Sequence, residues 1–277
     1  MKIVNLIILD IRNGVIAVWY RGLFAGGIFF LLNFAFFKYT NHIEGLLEPL
    51  TLGDYYANVF IGVKWAVFQL DRPIALPFNW LLVTFLILFF TLGYPSKDLG
   101  TIGKHLLVLF GDRFRWWIAK CIWVLFVEIL YFFTWLIVTI LWIMMTQGAF
   151  ELSLSSTALA STGLESQMMI QQPWAIVKFI AVTFITVLSL CLLQMFFSLY
   201  LQPVFTFIIS LSIQLLSIFI ASPILLGNYL MIVRSSIFVP DGYDWLAGVF
   251  ISIGIIIVIV LFGGWYFKRM DLINKEN

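Results

Sequence analysis

The sequence predicts an all-α integral membrane protein with six transmembrane helices, and three observations lead to that fold class. Hydrophobic residues make up 62% of the 277 residues and charged residues only 11%, whereas soluble domains carry about 25% charged residues. Runs of roughly 20 apolar residues, the length that crosses the hydrocarbon core as a helix, recur along the chain. Polar residues punctuate the chain between these runs, and no linker or internal repeat divides it. Residues 1–277 are therefore predicted to form one transmembrane domain.

The N-terminal segment "MKIVNLIILDIRNGVIAVWYRG" precedes the first predicted span. One face of a helix drawn through it carries Val4, Ile8, Ile11, Val15 and Trp19. This pattern suits an N-terminal interfacial helix that lies at the inner membrane surface and turns into span one. A plain extension of span one fits the same pattern equally well.

The six predicted spans are the apolar stretches 20–37, 77–94, 116–145, 174–200, 204–221 and 246–267. Lysine and arginine are unevenly distributed between the segments that connect them. With the N-terminus inside, eleven of the 16 Lys and Arg residues fall in internal segments and five in external ones. Because cytoplasmic loops are enriched in positive charge, both termini are predicted to be cytoplasmic.

Three predicted external segments are longer than simple turns. In segment 38–76 the stretch "DYYANVFIGVKWAVFQLDRP" suits a helix that lies in the outer interface or dips into it. Segment 146–173 is polar and long enough to hold a short helix. Segment 222–245 contains an apolar run that is too short and broken to span the membrane, so we interpret it as a re-entrant helix pair before span six.

The predicted internal loop 95–115, "PSKDLGTIGKHLLVLFGDRFR", suits a short cytoplasmic helix near residues 97–110. Leu99, Ile102, Leu106 and Leu109 recur at three- and four-residue spacing and give this helix one apolar face. Its polar side carries Lys97, Asp98, Lys104 and His105. Such a helix would dock on a partner protein or on the inner membrane surface.

A dense group of basic and tryptophan residues follows in "GDRFRWWIAKC", residues 111–121. Asp112 is positioned to cap the third span. The pattern predicts a membrane anchor in contact with lipid, with cationic side chains at the cytoplasmic surface and indole rings at the headgroup level: Arg113, Arg115, Lys120, Trp116 and Trp117. The same anchor would also fix the angle at which the cytoplasmic helix meets a motor protein.

Three polar residues inside the predicted spans are candidates for a function or for contacts between helices. Glu128 is well inside the hydrocarbon, where a carboxylate is costly unless it is neutral or faces a wet cavity. It either lines a translocation path or subunit contact, or holds helices together as a neutral or hydrogen-bonded group. Gln194 and Gln214 are predicted to form interhelical hydrogen bonds rather than ligand contacts.

The sequence contains no motif for catalysis. "GTIGKHL" departs from a phosphate-binding loop, since Asp98 replaces the first glycine and His105 follows the lysine. Two cysteines and two histidines offer no metal cluster, and a net charge of +2 does not favour nucleic acid. We therefore expect a protein without enzyme activity, metal or cofactor of its own, which draws energy for uphill work from an ion gradient or another protein.

The order of these elements resembles the permease subunits of ABC-2 type ATP-binding cassette transporters over the whole chain. The stretch "LPFNWLLVTFLILFFTLGYPSKDL…GDRFRWWIAKCIW" looks like the Gram-positive branch, whose subunits export peptides or confer resistance to them. The terminal "YFKRMDL" is similar to the "F-x-R-R-D" ending of the family.

The resemblance implies two permease chains, identical or paired, above separate ATPase subunits that bind ATP and Mg. The family's coupling helix maps onto residues 97–110, which makes the candidate ATPase contacts Lys97, Asp98, Leu99, Lys104 and His105. It also implies a bacterial plasma membrane location and, as cargo, an apolar or amphipathic peptide such as an antimicrobial peptide. A drug or lipid-linked glycan is the alternative cargo. An ion-coupled secondary transporter is the alternative mechanism, and a membrane enzyme or passive scaffold is a third class.

Overall fold

A computed structural model describes residues 3–43, 48–64, 76–99, 112–162 and 174–269. Regular structure in these ranges is helical, which confirms the all-α class. The α-helices are α1 (Ile3–Ile43), α2 (Leu52–Phe60), α3 (Phe78–Thr91), α4 (Tyr94–Leu99), α5 (Arg113–Thr146), α6 (Ser156–Thr162), α7 (Ala175–Phe197), α8 (Pro203–Phe219) and α9 (Trp245–Arg269). Two short 3-10 helices, Leu226–Leu230 and Ile232–Arg234, lie between α8 and α9.

Four helical stretches in the described ranges are long and apolar enough to cross a membrane. They are Trp19–His42 within α1, then α5, α7 and α9. Large apolar side chains on their outer faces are exposed, as for Phe250 at 70%. A soluble protein would bury such side chains, so the chain is membrane-embedded.

The other two predicted spans coincide with shorter apolar helices. α3 has 14 residues and α8 has 17, so they measure about 21 and 26 Å, less than the ~30 Å of a hydrocarbon core. α3 ends before Gly93, whose φ of +78° lies in the left-handed region. This conformation is easy for glycine and stops a right-handed helix.

The N-terminal segment differs from the expected interfacial helix. α1 continues without interruption for 41 residues, or about 62 Å, twice the hydrocarbon thickness. The N-terminal stretch therefore extends the first span, and the prediction of a separate helix that turns into it is wrong. Its sequence has no proline or glycine before Gly14 to break the helix.

The helix predicted in segment 38–76 is described only in part, because residues 65–75 lie outside the described residues. Residues 38–43 belong to α1, and α2 is the other helix in the described part of the segment. Eight of the nine residues of α2 are buried, so it packs into the protein instead of lying on a membrane surface. A capping box between Thr51 and Asp54 starts α2, and Tyr55 and Tyr56 form aromatic contacts with Phe36 and Trp135.

The re-entrant helix pair predicted for segment 222–245 is replaced by the two 3-10 helices. Arg234 is the physical reason, because its buried guanidinium collects carbonyl groups from three directions. It donates to Val63 at 2.8 Å and to Ile218 at 2.9 Å, and also to the carbonyl of Ser217 and the side chain of Asn228. These bonds tie the segment to the end of α8 and to the residues after α2, so its course follows contacts with other elements.

The bundle is assembled around α5. α1 packs along one side of it, with Trp142 of α5 meeting Phe30, Phe34 and Phe37 edge to face. α9 packs against α7 and against the beginning of α5, where Gly263 lies directly over the buried ring of Trp117. Close approach of α9 to α5 thus depends on the absence of a side chain at this position.

Gly263→Ala is expected to destabilise the protein by ~1–3 kcal/mol, the usual effect of overpacking. A Cβ at this position would stand 2.5 Å from the Trp117 ring, which is fully buried and cannot swing away. Gly254→Ala is the matched control on the same helix, since its Cβ would meet nothing within 4 Å. Thermal unfolding of the purified protein in detergent measures both changes. Equal melting temperatures for the two variants would contradict this packing.

Candidate functional site

A buried ion cluster joins three helices where α5 begins. The Lys120 cluster consists of Lys120 from α5, Asp10 from α1 and Asp98 from α4. The ammonium of Lys120 lies 2.5 Å from an oxygen of Asp10 and 2.7 Å from an oxygen of Asp98. Lys120 is 0% exposed and Asp10 is 2% exposed. Screening by water is weak at such a site, so these contacts fix the relative positions of the three helices strongly.

Trp116 completes the Lys120 cluster. Its indole nitrogen donates a hydrogen bond to Asp98 at 3.2 Å, and its ring centre lies 4.9 Å from the Lys120 ammonium. The other side of the ring stacks on Phe267 of α9 at 4.8 Å. The aromatic face thus supplies a cation–π contact and links a fourth helix to the cluster.

Local sequence determines which side of α5 faces the cluster. Asp112 caps the helix by accepting a hydrogen bond from the backbone N–H of Arg115 at 3.1 Å, as the sequence predicts. Trp116 and Lys120 are four residues apart and therefore share one face. Arg115 points to the opposite, exposed side, where it forms an ion pair with Asp112 at 2.8 Å.

The predicted membrane anchor must be corrected for three of its five residues. Trp116, Trp117 and Lys120 are 1%, 0% and 0% exposed, so they are covered by protein and do not contact lipid headgroups. The pairing of Lys120 with Asp10 and Asp98 explains the difference, because a paired cation has no need to reach water. Arg113 and Arg115 remain at least partly exposed beside the cluster.

The candidate ATPase contacts are divided by the structure. The Asp98 carboxylate is engaged within the chain by Lys120 and Trp116. Lys97 is exposed and Leu99 is half-buried on the same short helix. Lys104 and His105 lie outside the described residues, as does most of the predicted cytoplasmic helix 97–110.

A second group of polar side chains terminates α3. The last carbonyl groups of a helix have no partner within it. Arg21 of α1 donates to the carbonyl groups of Phe89 and Phe90 at 3.2 and 3.1 Å, and Gln194 of α7 donates to that of Leu88 at 2.8 Å. The interhelical hydrogen bond predicted for Gln194 is confirmed. The contact of Arg21 is not predicted, since nothing in the sequence shows that α3 ends beside it.

The remaining two candidate residues have no such bonds in the described part of the chain. Gln214 is 1% exposed, and neither its amide nitrogen nor its oxygen has a hydrogen-bond partner there. The hydrogen bond predicted for it is therefore absent among these residues. Glu128 is 0% exposed, and neither carboxyl oxygen has a hydrogen-bond partner among the same residues.

At the other end of the bundle, burial and hydrogen bonding shift the pKa of several groups. Burial raises the pKa of Asp54, although its carboxylate accepts hydrogen bonds from the backbone of Thr51 and Ser155. A hydrogen bond from the backbone of Ser156 lowers the pKa of Glu48. Burial also lowers the pKa of Arg234. Within the described ranges, no three His, Cys, Asp or Glu side chains are grouped so that they could hold a metal ion.

The fold and the Lys120 cluster define a helical membrane protein whose N-terminal helix, α4 and α5 are joined by buried charges. The chain matches the model of a protein family over residues 72–273, and that family is described as "Protein of unknown function (DUF2705)". Since this match covers well over half of its length, the chain belongs to that family. No curated protein and no solved structure matches it.

Lys120→Met is expected to destabilise the protein by about 3–5 kcal/mol, because it leaves two buried carboxylates without their cation. Arg115→Met is the matched control on the same helix. It removes an exposed ion pair and is expected to cost about 0–1 kcal/mol. Denaturant or thermal unfolding in detergent compares them. Adding Asp10→Asn and Asp98→Asn to Lys120→Met should restore much of the loss, and its failure to do so would show that the charges are not the cause.

Proposed function

We propose that the chain is the membrane-spanning permease subunit of an ATP-driven exporter of the ABC-2 type. It lies in a bacterial plasma membrane, crosses it six times and has both termini in the cytoplasm. A second permease chain, identical or paired, completes the translocation path. A separate ATPase subunit binds ATP and Mg and supplies the energy, while this chain carries out no catalysis.

The Lys120 cluster is the observation that carries this proposal. A segment that receives a push from an ATPase must be attached firmly to the helices that it moves. α4 follows the second predicted span and opens the predicted cytoplasmic loop, and Asp98 attaches it to α5 and, through Lys120, to α1. Charge-assisted contacts in a buried place are strong enough for such a connection. The arrangement therefore supports a role for α4 in transmitting movement to two long helices.

The proposed cargo is an apolar or amphipathic peptide. Aromatic residues make up 18% of the chain, and several aromatic contacts lie between helices, such as Phe85 with Phe207 at 5.0 Å. An interior of this composition suits an apolar solute better than a strongly hydrated one. A drug or a lipid-linked glycan has enough apolar surface to use the same kind of path, so transport assays would include all three classes.

An ion-coupled secondary transporter is the second candidate. The observation that favours it is Glu128, a buried carboxyl group without a hydrogen-bond partner in the described part of the chain. Transport into sealed vesicles separates the two candidates. Uptake that needs ATP and survives collapse of the ion gradients favours the exporter, whereas uptake that follows an imposed gradient without ATP favours the secondary transporter.

Gentle purification of the tagged chain from its native membrane is expected to bring an ATPase subunit with it. Lys97→Glu should release that subunit, because Lys97 is exposed on α4, next to Asp98 of the Lys120 cluster. Lys38→Glu is the control, an equally drastic reversal of an exposed lysine near the far end of α1. Quantitative mass spectrometry of the purified material measures the ratio of ATPase to permease.

Two results would count against the proposal. One is a native chain that purifies without an ATPase and transports without ATP. The other is equal loss of the ATPase in both lysine variants, which would point to general instability instead of a contact on α4.

A further inference from the structure

We propose that Glu128 is a proton-binding site inside the membrane, and that its proton exchanges with water along a row of polar side chains on α7. The proposal goes beyond ATP-driven export and does not depend on the presence of an ATPase subunit. It rests on two independent observations, the unpartnered carboxyl group of Glu128 and the polar row beside it.

Glu128 lies on α5 at the contact with α7. It is 0% exposed, and its two carboxyl oxygens have no hydrogen-bond partner among the described residues. It lies within electrostatic range of the thiol of Cys191 on α7. An ionised carboxylate without hydrogen bonds in such an environment costs several kcal/mol or more, so the group keeps a proton.

No described cation is positioned to replace that proton. Lys120 is eight residues earlier on α5, about 12 Å along the axis, and is paired with Asp10 and Asp98. Arg21 of α1 caps the end of α3. Among the titratable groups of the neighbouring helices, Cys191 of α7 lies near Glu128, while Tyr55 and Tyr56 of α2 pack against Trp142 and Trp135 farther along α5. Tyr131 of α5 itself donates its hydroxyl to the carbonyl of Val83 at 2.8 Å.

Buried polar side chains recur along α7 and at Ser198, directly after its end, and together form the polar row Thr183, Thr186, Ser189, Cys191, Gln194 and Ser198, each at most 8% exposed. From Thr183 to Ser198 the row extends about 22 Å along the helix axis, most of the hydrocarbon thickness. The row therefore offers polar atoms at nearly every turn of the membrane interior.

Contacts extend the row toward both ends of the bundle. On the side of α2, the side chains of Tyr56 and Thr183 are neighbours, and Ser252 of α9 donates to the hydroxyl of Thr186 at 3.2 Å. On the other side, Thr91 of α3 neighbours Cys191. The side-chain oxygen of Gln194, one turn further, has no hydrogen-bond partner in the described part of the chain.

Hydroxyl groups both donate and accept hydrogen bonds, which is the property that proton exchange requires. Successive members of the row are two to four residues apart, or about 3–6 Å along the axis, a gap that one bridging water closes. A hydronium ion at the membrane surface gives its proton to the row, and the Glu128 carboxylate receives one from the row. The reverse steps return the proton to water, and no covalent bond other than O–H is made or broken.

Infrared spectroscopy of the purified chain in lipid bilayers tests the proposal without an ATPase or cargo. The spectrum of the native protein minus that of Glu128→Gln should contain the carbonyl band of a protonated carboxylic acid at neutral pH. The matched control, Glu151→Gln, changes an exposed glutamate and should give no such band. In D₂O the native band should shift to lower frequency. Thr186→Val with Ser252→Ala should slow that shift about tenfold, as expected when the exchange barrier rises by ~1.4 kcal/mol.

Each outcome decides a part of the proposal. Absence of the band in native protein means that Glu128 is ionised and overturns the proton site. A band that does not respond to D₂O means a sealed carboxylic acid with a structural role only. An unchanged exchange rate in the double variant overturns the route through Thr186. The D₂O shift is measured on the native chain, so this test remains available even where Glu128→Gln does not fold.

Discussion

The buried charge of Lys120 is the constraint on which the arrangement of α1, α4 and α5 depends. An ammonium group that is 0% exposed cannot be left unpaired, and its partners, Asp10 and Asp98, are far apart in the sequence. α1 must therefore continue well beyond the length of a membrane span to bring Asp10 to this place. The turn at Gly93 must likewise direct α4 back toward α5. Two features that look unrelated in the chain, a long first helix and a broken second one, follow from the same pairing.

Arg234 has a comparable role at the far end of α8, but it is stabilised in a different way. Its partners include carbonyl groups and the side chain of Asn228, and two of those carbonyls close the end of α8. The negative end of a helix dipole and unpaired carbonyl oxygens stabilise a cation there. Arg21 acts on the end of α3 by the same principle. Short helices that end within the protein are possible here because arginine side chains satisfy their last carbonyl groups.

The sequence predicts what depends on neighbours in the chain, and it fails where the partner is distant. Hydropathy locates the apolar helices, and Asp112 is recognisable as a cap because it acts three residues away. The pairing of Lys120 with Asp10 joins residues 110 positions apart, so a basic and aromatic group looked like a headgroup anchor. An amide group without hydrogen bonds is costly in a membrane, and this predicts the interhelical hydrogen bond of Gln194. The same cost does not by itself say whether Gln214 has a partner. Arg234 likewise binds residues that are distant in the chain, and it organises the segment that the sequence predicts as a helix pair.

The interior between the Lys120 cluster and Arg234 is held together by a different kind of bond, and this affects where the protein can change shape. Hydroxyl groups on α7 and α8 bond mainly to carbonyl groups of their own helix, as Thr183 does to Phe179 and Ser210 to Thr206. Such bonds survive when one helix slides past another, while the ion pairs of Lys120 and the bonds of Arg234 would break. Sliding of α5 against α7 would break no hydrogen bond of the Glu128 carboxyl group, whose oxygens have none among the described residues. A carboxyl group without an interhelical bond is compatible with that movement, and its protonation state would respond to any water that the movement admits.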